Sequence, residues 1–205
     1  MKHTLAGAAF AALGLLAAPC GALAADITFA SVGGPPSVAK AHTFVGILES
    51  LTDAHTGSVQ AVPPDGLLDA LTSGAAQVSF DVDPAAENFG AFEAAGLVDL
   101  GPNQMGALPE RHTMVTPDLV ETAPEVVEFL NLFFVSGARL DEMASLVEGD
   151  TIPDAALSSW LADNEPWIRN MLALCPEFSS GACETDGGPR PFKAQDWYGT
   201  PAADR

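Results

Sequence analysis

Basic side chains are scarce. Lys and Arg number 8 in 205 residues against 27 Asp and Glu, a formal charge of −19. Nucleic acids and anionic lipid headgroups are held by cations that displace counterions, so this balance argues against both as partners. Only three cysteines occur; CxxC spacing is absent and no His lies near the two late ones, so a zinc site is not expected. There is no G-x-S-x-G, no H-E-x-x-H and no recognisable Cys–His signature, so the chain reads as a non-enzyme that needs no metal or cofactor. Past the first residues, no apolar run is long enough to cross a bilayer.

The chain does carry a leader pattern. Lys2 precedes the apolar run LAGAAFAALGLLAA, and Ala22-Leu23-Ala24 offers small residues at the −3 and −1 positions of a cleavage site. Residues 1–24 are therefore expected to be a signal peptide directing export to the periplasm. Cys20 follows Pro19, a poor fit to a lipidation site. Cys175 and Cys183, in CPEFSSGAC, are expected to pair in an oxidising compartment. The expected division is a domain over 25–174 and a stapled, irregular tail over 175–205, Gly- and Pro-rich and aperiodic.

Within the domain, ITFASV (27–32) reads as a strand before the turn signal GGPP. SVAKAHTFVGILESL then puts Val38, Ala41, Val45, Leu48 and Leu51 at helical spacing. VQAV (59–62) and QVSFDV (77–82) are further strands, separated by a short helix with Asp65 as expected cap and Gly74 as stop. LVDLG (97–101) and HTMVT (112–116) are candidate strands. Thr122 and Glu125 have capping-box spacing ahead of a helix whose Val126, Leu130, Phe133 and Phe134 share a face. LDEMASLV, PDAALSSWLAD and EPWIRNML read as three more short helices, with Trp160 and Trp167 on apolar faces as core. Strand–helix alternation argues for parallel pairing through right-handed crossovers, hence an α/β fold.

In such sheets ligands bind beyond the carboxyl ends of the strands. Two segments qualify. Gly33 and Gly34 follow the first strand, either as a plain turn or as a source of N–H groups for a ligand carboxylate. Asp81 and Asp83 end the third, as turn chemistry before Pro84 or as attractors of a cationic or hydroxylated ligand.

The run PEVVEFLNLFFVSGARLDEMASLVEGDTIPDAALSSWLADNEPWIRNML resembles the carboxyl-terminal helices of glycine betaine-binding proteins, the periplasmic substrate-binding components of quaternary-amine ABC transporters. LVDLGPNQMGA is similar to that family's exit from its first lobe, and ERHTMVTPDLVETAPEVVEFL to its return from the second. The resemblance runs from about residue 27 to residue 172. It implies a small-solute ligand such as a quaternary amine, an ABC permease as partner, and a single lobe of a solute-binding-protein-like fold: a partly parallel sheet flanked by helices with a helical carboxyl-terminal cap. Two departures stand out. The exit and return segments nearly touch, leaving no room for the second lobe. Asp81-Val82-Asp83-Pro84 stands where the family has a tryptophan, in a stretch like DAWLP, as part of an aromatic cage; valine offers no π face to a cation.

The return segment brings His112 beside the expected cleft, as a ligand contact or as a hydrogen-bonded structural residue. His42 is a weaker candidate and His55 is expected to be solvated. Losing a lobe should expose surface around Gly33, Asp83, Met105 and His112. Phe192, Trp197 and Tyr198 of the tail are the expected cover, with homodimerisation as the alternative.

Overall fold

Alternation along the first strand sets which faces of the sheet are covered. β1 (Asp26–Ser31) sends Ile27 and Phe29 into a large core on one face and Ala30 into a smaller core on the other. The structure, a computed structural model, describes residues 25–51, 55–103, 105 and 110–172. The expected leader, the Cys175–Cys183 pair and the tail residues Phe192, Trp197 and Tyr198 lie outside the described residues.

β2 (Thr56–Ala61) and β3 (Val78–Val82) flank β1 in parallel, with Phe29 level with both Val59 and Val78. β4 (Val98–Pro102) and β5 (His112–Val115) complete a five-stranded sheet of order β2-β1-β3-β5-β4. β5 lies between β3 and β4 and is antiparallel to both. Connection length explains the pattern: helical crossovers join β1 to β2 and β2 to β3, whereas the short link 103–111 returns β4 directly onto its neighbour. The five strands flanked by helices are the expected α/β architecture.

α1 (Pro35–Leu51) covers the larger core and is itself covered by α6 (Gly137–Ala144) and α7 (Asp154–Leu172). From Ser37 to Leu48 it is buried on every side except at half-buried His42. The expected apolar stripe is thus only part of its buried surface. Phe44 is a hub, with ring centroids 5.3 Å from Phe29, 5.7 Å from Phe80 and 5.2 Å from Phe129. A Cβ on Gly46 would stand 2.8 Å from Leu161 Cδ1, so the missing side chain sets how closely α7 approaches. The smaller core lies under α2 (Leu67–Thr72) and α3 (Phe89–Ala94), whose Leu67, Leu71 and Phe92 meet Val82, Leu97 and Met114.

Three expectations about helix ends are corrected. Asp65 does not cap α2: it sits inside a 3-10 turn, Pro64–Gly66, and the cap position is Gly66. Gly74, at φ 75°, does stop that helix. Thr122 and Glu125 form no capping box, because Thr122 ends α4 (Pro117–Thr122), where its hydroxyl donates to Asp118 O. α5 (Pro124–Leu132) starts instead at Pro124, whose fixed φ suits a first turn. PDAALSSWLAD and EPWIRNML are one helix, α7. Pro166 lies within it, and both Pro166 and Ala162, four residues earlier, are exposed, so the carbonyl left without a partner can be hydrated. Trp160 is core as expected, and half-buried Trp167 packs against that core, with the Arg139 guanidinium 4.2 Å above its ring.

Candidate functional site at the carboxyl edge

The carboxyl ends of β1, β3 and β4 and the start of β5 share one edge of the sheet, and two bulges meet there. The β3–β5 register shifts between Ser79 and Val82, and the β4–β5 register shifts between Asp99 and Pro102; both ladders resume at His112. In β4 the irregularity contains Gly101 at φ 85°, a left-handed conformation that glycine adopts without a Cβ penalty. In β3 the shift re-aims a side chain. Phe80 faces the α1 core, Val82 the opposite core, and Asp81 between them reaches back to α1.

There Asp81 meets a buried polar network. Lys40 Nζ pairs with Asp81 Oδ1, and Ser37 Oγ donates to Asp81 Oδ2 at 2.5 Å. Ser37 Oγ also accepts from Val32 N–H and lies 3.0 Å from Ser31 Oγ. The Phe80 carbonyl, released by the bulge, accepts from Asn103 Nδ2 at 2.6 Å and from Lys40 Nζ at 3.3 Å. The freed Phe80 carbonyl is thereby answered from α1 and from the β4–β5 link, and the Asp81 N–H donates to Ser79 Oγ at 3.2 Å within β3 itself.

All five candidate residues lie along this edge, yet each has local work. Asp81 is matched by Lys40. Asp83 accepts from Ala85 N–H at 2.9 Å, the turn chemistry of an Asp before proline, and pairs with Arg111 at 3.0 Å. His112 Nδ1 lies 2.8 Å from Asp99 Oδ2, and its ring meets Phe89 edge to face at 5.3 Å. Gly33 and Gly34 are exposed, with φ of 86° and 80°. Gly33 N–H donates to Ser31 Oγ at 3.4 Å. Pro35 and Pro36 then open α1 without N–H groups, so the expected array of helix-start donors is thinner than the sequence implied.

Ser37, Lys40, Asp99, Asn103, Glu110 and Arg111 join the edge without having been singled out in the sequence. Lys40 left a usable signal, since a single charge inside VAKAHTFVGIL must be buried with a partner once the helix is enclosed. Among the described residues, Asp81, Asp83, Asp99 and Glu110 face two permanent cations, Lys40 and Arg111. Four carboxylates against these two cations leave two negative charges in excess, a field that favours a cation.

Three other expectations change. Met105 is buried and forms an isolated bridge with Val135, so it is not exposed cleft surface. His55 is buried rather than solvated, with Nε2 2.6 Å from Glu125 Oε1. His42 points away from this edge, to Asp150 and Asp154 near the start of α7; burial holds its imidazole below the ordinary 6.5, against the raising influence of those two neighbours. Among the described residues no group of three His, Cys, Asp or Glu could hold a metal ion, and no helix is long and apolar enough to cross a membrane. An open groove of about 490 Å³, lined by Leu71, Gly74, Gln77, Leu97 and Pro117, lies at the opposite edge, away from the charged cluster.

No protein-family model and no curated protein matches the chain. Solved structures do. Lactococcal OpuAC, closed on glycine betaine, superposes with a TM-score of 0.55 at 9% identity, over 71% of this chain and 98% of its own. The chain has a solute-binding-protein fold. A choline-binding protein of an ABC transporter, in complex with choline, gives a TM-score of 0.60 at 13% identity over 72% of this chain and 91% of its own. The glycine betaine/L-proline-binding protein ProX of Borrelia burgdorferi gives 0.56 at 9% over 70% and 95%. At these identities the likeness is one of fold.

Proposed function

We propose that this protein is a one-lobed solute-binding protein. Residues 1–24 export it to the periplasm, where it takes a small quaternary amine or related compatible solute, glycine betaine among them, and delivers it to an ABC permease. The observation that carries this reading is the fold likeness, over most of each chain, to proteins described as binding glycine betaine, L-proline or choline. The carboxyl edge supports it: carboxylates in excess attract a cation, and Phe89 beside His112 supplies an aromatic ring of the kind cations favour. In this reading Gly33, Gly34, Asp83 and His112 contact the solute, and Asp81 holds the floor through Lys40 and Ser37. A single lobe buries only one side of a ligand, so affinity is weak unless the tail or a second copy of the chain covers the cleft.

Calorimetric titration with glycine betaine, choline and proline betaine tests it. Saturable heat with at least one of them is the expected result. The same experiment weighs a second reading, an interaction module that keeps the lobe but has given up ligand recognition. That reading is favoured by the local pairing of Asp81, Asp83 and His112. It predicts no heat with any of the three, together with tight binding to a permease or another protein.

A further inference from the structure

The amino edge of the sheet holds a line of three groups that the solute reading does not use. Ala25 N–H donates to His55 Nδ1 at 3.2 Å, and His55 Nε2 lies 2.6 Å from Glu125 Oε1. An Nδ1 that accepts requires the proton on Nε2, so the ring donates to the carboxylate. The His55 side chain is fully buried and that of Glu125 is 10% exposed. Ala25 is fixed at both ends of its backbone, since its carbonyl accepts from Thr56 N–H at 3.0 Å as the β1–β2 ladder begins. Strand register thus aims this one nitrogen at His55.

Ala25 is also the residue that follows the small-residue pattern Ala22-Leu23-Ala24. We propose that the His55–Glu125 pair is the receptor for the mature amino terminus: cleavage between Ala24 and Ala25 leaves an α-ammonium group in place of the amide, bonded to His55 and charge-matched through the ring to Glu125. Hydrolysis by a leader-cleaving protease consumes one water, leaving a carboxylate on Ala24 and an ammonium on Ala25. The nitrogen need not move. It keeps its bond to Nδ1 and gains a positive charge one imidazole away from a mostly buried carboxylate, where such a charge is poorly screened. Export and completion of the fold are thereby coupled, the processed chain being more stable than its precursor.

This inference rests on residues 1–24 being a leader, and the experiment separates the two claims. Protein made in vitro to begin at Ala25 is compared with the same protein acetylated at its α-amine, which keeps the N–H donor and removes only the charge. The free-amine form should melt higher by about 3–6 °C, and Glu125→Gln should abolish that difference. In case Glu125→Gln does not fold, the His55 ring nitrogens offer a second readout: their NMR shifts should change on acetylation while those of His42 and His112 stay. Equal melting temperatures, or unmoved His55 signals, overturn the receptor. Intact mass of the exported protein tests the leader separately, with Ala25 expected first.

Discussion

Two buried pairs, each with a carboxylate, stand at opposite edges of the same sheet, and they are built differently. At the carboxyl edge Lys40 and Asp81, with side chains 5% and 8% exposed, are cross-tied through Ser37, the Phe80 carbonyl and Asn103. At the amino edge His55 and Glu125 form a line that ends on Ala25 N. The first is a permanent cation against a carboxylate, and it neutralises an acid that would otherwise face a ligand. The second contains a ring that accepts on one side and donates on the other, so its charge balance depends on what Ala25 carries. A strand-end carboxylate is therefore not a binding group by position alone; the helix packed behind it decides whether its charge is spent.

Removing one member from each pair should expose that difference. Lys40→Met leaves the Asp81 carboxylate buried without its cation, and urea unfolding should show a loss of about 3–5 kcal/mol. The double variant Lys40→Met/Asp81→Asn removes both charges and should recover much of that loss. Glu125→Gln keeps a hydrogen-bonding side chain beside the His55 ring, so a smaller loss of about 1.5–3 kcal/mol is expected. Equal losses at the two edges would break the contrast.

A weaker perturbation sharpens the functional side of the comparison. Arg111 and Asp83 pair with side chains 29% and 41% exposed, so Arg111→Ala should cost under about 1 kcal/mol. The carboxyl edge gains a net negative charge, and choline should bind more tightly, more so at low salt than at high. Titration of the variant at two salt concentrations checks both statements.

The smallest effect concerns His42, on the same helix as Lys40 but facing Asp150 and Asp154. Burial lowers its folded pKa below the unfolded 6.5. The unfolded chain therefore takes up the proton first as pH falls. This contribution to stability is complete above about pH 6.5 and is lost as pH drops through the lower folded value. His42→Gln should flatten the dependence of melting temperature between about pH 7.5 and about pH 5.5, relative to the parent.

Much of this was legible in the sequence where periodicity carries the information. ITFASV, QVSFDV, LVDLG and HTMVT are strands because apolar and β-branched residues recur along them, and the alternation with helices located the carboxyl edge that holds Gly33, Asp81, Asp83 and His112. What stayed hidden depends on contacts distant in sequence. The bulge in β3, which turns Asp81 toward α1, leaves no local mark. His55 looked solvated and Glu125 looked like a capping residue because the contact that joins them spans 70 positions. α7 read as two helices because Pro166 is a breaker by propensity, a penalty that its exposed face tolerates. Lys40 was readable in principle, as a lone charge in an apolar run, but its partner was not.

The most direct test of the solute-binding account is to titrate choline into isotope-labelled protein and follow the backbone amides by NMR. The account predicts saturable shifts concentrated at Gly33, Gly34, Asp83 and His112, with little change around Ala25 and His55. Shifts confined to the groove around Leu71, Gly74 and Gln77, or no shifts at all, would contradict it.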